Sequence, residues 1–234
     1  MKLGILPLGR PTFDVPFAQQ KLAAMLGVLD ATGHEIVGPR DLLFDEAATR
    51  QAIADLQAQG VEQVMVLQVT FTDASMTVAI GAAFEQPMSI WAVPEPRLGG
   101  RLRLNAFCGL NLAAHALGLN DRAFGWVYGD PEGDIAGDIA ALLAGKRPAG
   151  RLAAGAVPSE NDRGRAIAKA VNGRRIARIG DHPVGFDTCA YDSDAMQLLA
   201  GVQVDALELD DLFDTARAVP EATAQDLHKQ AEAQ

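Results

Sequence analysis

The sequence predicts an α/β protein: a flavodoxin-like doubly wound parallel sheet, followed by the beginning of a second Rossmann-like α/β domain. Two observations carry this reading. Short, continuously apolar runs alternate along the chain with stretches whose apolar residues recur at helical spacing. The runs show no polar alternation, as expected of strands covered on both faces, and such strands are parallel and joined by helical crossovers. With 49% hydrophobic and 21% charged residues over 234 positions, the composition suits a packed core and excludes a disordered chain.

The elements follow in order. Residues 3–8 read as the first strand. Residues 14–31 read as a helix, with Val15, Ala18, Leu22, Met25, Leu26 and Leu29 at helical spacing, Asp14 as N-cap and Gly33 as terminator. A short strand at 34–37 and a helix at 45–59, ended by Gly60, come next. Strands at 64–68, 88–93 and 123–128 then alternate with helices at 73–84, 108–117 and 135–144, completing a flavodoxin-like N-terminal domain over 1–147. Residues 148–173 read as a basic connector helix, and 174–234 as the start of a second domain. Within it, strands at 176–179 and 202–207 and helices at 191–199 and 210–216 precede Pro220 and a polar helix. Two strands are too few for an independent parallel sheet, so this domain is expected to be incomplete.

Charge is unevenly placed. The net charge is −10, with a pI near 4.8, which disfavours nucleic acid and anionic membranes as partners. Residues 146–178 hold nine Lys/Arg and two acids, whereas residues 181–214 hold nine acids and no Lys or Arg. The basic stretch has no aromatic residue for base stacking, so a solvated connector is favoured over a nucleic-acid arm. Cys108 and Cys189 belong to no CxxC or Cys/His cluster, and reduced thiols are expected rather than a disulfide framework or zinc site. No signal peptide or membrane-length apolar run stands out, so the expected location is cytoplasmic.

Open α/β sheets bind ligands beyond the carboxyl ends of their strands, so the loops after each strand hold the functional candidates. The first, Gly9-Arg10-Pro11-Thr12-Phe13-Asp14, is neither GxGxxG nor Walker A, and it lacks the Gly/Ser/Thr-rich cradle of a flavin- or nucleotide-binding loop. Arg10 and Thr12 suit an oxygen-rich ligand; equally, Pro11 and Asp14 simply start the helix. After the third strand, Gln68 to Asp73 place polar groups at the end of a buried run, where they bond one another, cap the next helix through Asp73, or face a ligand. After the fourth, Trp91, Glu95, Arg97, Gly99-Gly100, Arg101, Arg103 and Asn105 fill the longest irregular stretch of the domain. An aromatic face with forked donors suits a polyol, and the three arginines suit an anionic group on it, or else a subunit contact. His115 falls in an apolar helical run and reads as a packing histidine. Later, Asp181, His182 and Asp187 match no metal-ligand spacing; a substrate-facing or hinge role is favoured for this loop.

Three stretches together resemble the L-fucose isomerase / L-arabinose isomerase superfamily. They are Ile90-Trp91 with Glu95, Arg97, Gly99-Gly100 and Leu112-Ala113-Ala114-His115; Asn111 to His115 followed by Asp121-Arg122-Ala123-Phe124-Gly125; and Ala177-Arg178-Ile179-Gly180-Asp181 followed by the 201–213 region. The resemblance implies a metal-dependent aldose–ketose isomerase acting through a cis-enediol. It also implies a divalent cation, manganese, in the complete enzyme, and a homo-oligomer, trimer or hexamer, with active sites between subunits. In that family the metal-binding Glu, Asp and His lie further along than residue 234, so this chain is expected to hold neither catalytic residues nor metal ligands. The substrate-side candidates are Arg10, Thr12, Gln68, Trp91, Glu95 and Arg97, with Asp181 and His182 fainter. The alternative is a non-catalytic sugar-binding or regulatory module of the same fold.

Overall fold

The computed structural model describes residues 1–96, 99–149 and 161–233. It divides into two units, Met1–Ala154 with Val184–Thr188, and Gly155–Pro183 with Cys189–Gln234.

The first unit is built on five parallel strands: β1 (Lys2–Leu8), β2 (Glu35–Val37), β3 (Gln63–Gln68), β4 (Met88–Ala92) and β5 (Gly125–Tyr128). Their spatial order is β2-β1-β3-β4-β5, the doubly wound order whose reversal falls between β1 and β3. The crossovers are α1 (Val15–Asp30), α2 (Glu46–Ala58), α3 (Ser75–Ala83) and α4 (Ala106–Leu119), with α5 (Ala136–Leu143) after β5. Every residue of β3 and β4 is buried, which explains their unbroken apolar character. Leu3, Ile5, Val64, Val66, Ile90 and Met25 belong to one continuous core, each contributing on the order of 1.5–3 kcal/mol through burial.

Several boundaries have visible causes. Asp14 caps α1 by accepting the Phe17 N–H at 3.1 Å, and Asp45 caps α2 through the Ala48 N–H at 2.8 Å. Helix α4 starts two residues before the expected Cys108. Asn105 turns into the left-handed region (φ 52°) there, and the Glu95 carboxylate collects the amides just ahead of the helix. The expected connector helix at 148–173 is α6 (Asp162–Val171) only; Pro148 instead forms an isolated antiparallel bridge with Gly125, and 150–160 lie outside the described residues.

The second unit holds α6, then β6 (Arg175–Ile179) and β7 (Gln203–Leu207) as a parallel pair. Helix α7 (Ser193–Ala200) connects them, and α8 (Leu209–Arg217) and α9 (Glu221–Glu232) follow. Arg175 forks onto Asp205 at 2.6 and 2.9 Å, so the basic and acidic blocks of the sequence meet across this pair of strands. Both cysteines are free. Among the described residues no helix is long and apolar enough to cross a membrane.

Candidate functional site

Strand register lines up the loops. Leu8 pairs with Gln68, Gln68 with Ala92, and Ala92 with Tyr128, so β1, β3, β4 and β5 end on one rung. The segments that follow β1, β3 and β4 therefore leave the sheet side by side, across its β1/β3 switch point.

Backbone bonds stitch these segments together. The Arg10 N–H donates to Thr70 Oγ1 at 2.8 Å, the Phe71 N–H to Leu104 O at 2.7 Å, and the Asp14 N–H to Arg103 O at 3.1 Å. Side chains repeat the pattern. The Arg10 guanidinium pairs with Asp73 Oδ2 and lies 6.0 Å from the Phe71 ring centroid. Arg103 forks onto Asp14 Oδ2 (2.8 and 2.9 Å) and stacks on Phe17 at 3.8 Å.

Electrostatics follow from these contacts. Burial pushes the Asp73 carboxyl up, but the Ser75 hydroxyl and amide and the Arg10 charge outweigh it and leave the group below its ordinary value. Asp14 is likewise held low, chiefly by its bond to Arg103 and then by the Phe17 amide. Both are carboxylates at neutral pH, so Arg10 and Arg103 stay paired. The Arg10 side chain is still 35% exposed, which leaves part of its donor fork open to a ligand.

The predicted site residues divide. Arg10 stands at this junction, and Thr12 is exposed two residues on. Gln68 is fully buried; its Nε2 donates to Thr70 O (2.7 Å) and Thr72 Oγ1 (3.0 Å), bracing the loop after β3. Trp91 corrects the expectation of an aromatic platform. It is fully buried in β4, its Nε1–H donates to Gly129 O at 3.0 Å, and no ring face is left for a ligand. Glu95 is also recast. Its carboxylate accepts the N–H groups of Arg103, Leu104 and Asn105, so it holds its own loop in shape and is not a free hydrogen-bonding group. Arg97 lies outside the described residues. Arg101 is exposed and has no ion-pair partner among the described residues. Asp181, in the second unit, pairs with Arg178, and His182 is exposed.

Sequence reasoning missed the Arg10–Asp73 pair and the aromatic run Phe13, Phe71 and Phe186, whose ring centroids lie 6.2 and 5.6 Å apart in succession. The only local signal was the Thr70-Phe71-Thr72-Asp73 motif; nothing local ties it to Phe186. Among the described residues no three His, Cys, Asp or Glu side chains converge to hold a metal ion, so a resident cation does not fit these residues and no step is assigned to one.

The profile of the fucose/sulfoquinovose isomerase N-terminal domain family matches residues 4–174. A sulfoquinovose isomerase from Priestia aryabhattai is 26% identical over 216 residues, covering 92% of this chain and 44% of that protein. Another, from Alkalicoccus urumqiensis, is 27% identical over 216 residues with the same shares. A third, from Clostridium sp. (strain MSTE9), is 27% identical over 236 residues, 99% of this chain and 47% of that protein. The chain spans about half the length of these curated relatives.

Proposed function

This chain belongs to the fucose/sulfoquinovose isomerase N-terminal domain family, and from that membership we propose that it serves an aldose–ketose isomerase as its substrate-gripping portion. The observation that carries the proposal is Arg10. Its guanidinium is held by a half-buried carboxylate at the sheet's switch point and keeps part of its fork exposed. Such a group, fixed in place and still open, is suited to hydroxyl or anionic oxygens of a sugar. Arg10 would bind and orient the sugar, and Asp73, Thr70 and Phe71 would hold Arg10. In this proposal manganese and the acid/base groups for the cis-enediol step come from residues other than those described.

The substrate we propose is a sulfonated sugar. The relatives' names support it, and so does Arg101, an exposed arginine in the loop after β4 with no ion-pair partner among the described residues. A sulfonate presents several acceptor oxygens, which a guanidinium fork meets better than a single hydroxyl does. The test is an isomerase assay on the protein as its gene encodes it, with manganese present, comparing sulfonated and neutral aldoses. Faster ketose formation from the sulfonated sugar is expected. Arg10→Ala should raise KM by roughly ten- to a hundredfold, the worth of one charge-assisted hydrogen bond. If no aldose is converted, the isomerase reading fails; if neutral sugars do equally well, the sulfonate is dropped.

A further inference from the structure

Residues Val184–Thr188 group with the first unit although the chain on either side of them does not. What they touch there is specific. The Gly185 carbonyl accepts the Ala74 N–H at 3.1 Å, at the N-cap of α3. Phe186 packs against the small cluster of Ala74, Leu112 and Ala116 between α3 and α4, as Phe71 and Val78 also do. Its ring also lies 5.6 Å from Phe71.

Two contacts of this segment land on residues that hold Arg10. Phe71 is the ring near the Arg10 guanidinium, and Asp73, its ion-pair partner, is walled by Gly185. A Cβ built on Gly185 would stand 2.8 Å from Asp73 Oδ1 and 3.0 Å from Asp73 Cβ. The Gly185 φ of +81° is in addition one that side chains disfavour. No side chain fits there without moving Asp73. The carboxylate is thus confined by Ser75 on one oxygen, Arg10 on the other, and the Gly185 backbone against its flank.

We propose that Gly185 and Phe186 form a strap that positions Arg10 for substrate, acting through Asp73 and Phe71. The inference rests on the assignment of Arg10 as a substrate contact. The strap touches no substrate itself. It sets where the guanidinium points, so it acts on binding more than on turnover. A strap that merely filled space would change stability and leave substrate affinity alone.

The experiment uses the protein as its gene encodes it and reads both KM in the isomerase assay and calorimetric Kd for the sulfonated sugar. Phe186→Leu keeps apolar volume and removes the ring; Gly185→Ala adds one methyl against Asp73. Each should weaken KM and Kd by roughly tenfold while kcat stays within about threefold, and Phe186→Tyr should restore affinity. Combined with Arg10→Ala, neither should weaken affinity further, because the strap works through that side chain. The inference is overturned if strap variants leave affinity unchanged while Arg10→Ala weakens it, or if the effects add fully. Sugar binding that depends on Arg10 and the strap without any isomerisation would sink the isomerase reading and leave the strap standing. Unchanged affinity in Arg10→Ala would remove the substrate assignment and the strap with it. Should Phe186→Leu fail to fold, Gly185→Ala decides.

Discussion

Asp73 does two jobs with one carboxylate. Oδ1 accepts from the Ser75 amide at 3.0 Å and anchors the start of α3, and Oδ2 holds Arg10. Its pKa lies below the ordinary 3.8. The sign of the linkage follows: stabilisation is present above the unfolded value and is lost as pH falls through the lower folded value. Asp73→Asn should therefore lower Tm at pH 7 by roughly 3–10 °C, the cost of breaking a half-buried charged bond. The gap between the two proteins should begin to narrow as pH drops below about 4, where the unfolded chain's carboxylate protonates, and close as pH passes the lower folded value. Thermal melts across pH check this, and an equal gap at pH 3 and pH 7 would refute it. Trp91 and Glu95 show what residue chemistry alone leaves open. An indole and a carboxylate after an apolar run read as ligand groups, yet each had backbone partners waiting: Gly129 O for one, three successive N–H groups for the other.

Helix α4 separates two glycines that look alike in sequence. A Cβ at Gly109 would meet Gln68 Nε2 at 2.8 Å and Cδ at 3.0 Å, and Gln68 is pinned by its bonds to Thr70 and Thr72. Gly118, nine positions on, has nothing within 4 Å. Ala is favoured over Gly in a helix by about 1 kcal/mol, while overpacking a fixed neighbour costs roughly 1–3 kcal/mol. Gly118→Ala should thus raise Tm and Gly109→Ala lower it, with Gly109→Ala also loosening the loop after β3. Melting both variants decides; a stabilising Gly109→Ala would show that Gln68 gives way. A helix whose cap is local was legible beforehand, as Asp14 shows. The start of α4 was not, because its organising carboxylate sits ten positions upstream of Asn105 across an irregular loop.

The two units differ in how much they bury. In the first, β3 and β4 are wholly buried; in the second, Val202 is the one buried residue described, and Ile176, Ile179, Leu198, Leu199, Leu207 and Phe213 are exposed. Backbone amides of β3 and β4 should exchange hydrogen most slowly, and those of β6 and β7 by orders of magnitude faster, since local opening tracks buried contact. Mass-resolved exchange on the protein as encoded tests this, and equal protection would mean that further contacts cover β6 and β7. By itself the sequence determined the alternation of strands and helices, the parallel sheet, the Asp14 helix cap and the loops worth suspecting. Those follow from periodicity and from short-range hydrogen bonding, which neighbouring residues settle between them. Tertiary structure alone decided that Trp91 is core, that Glu95 shapes its own loop, that Asp73 and Phe71 hold Arg10, and that Phe186 packs on Phe71. Each of these depends on strand register and on contacts between residues far apart in the chain, where packing chooses among partners that a linear pattern leaves equivalent.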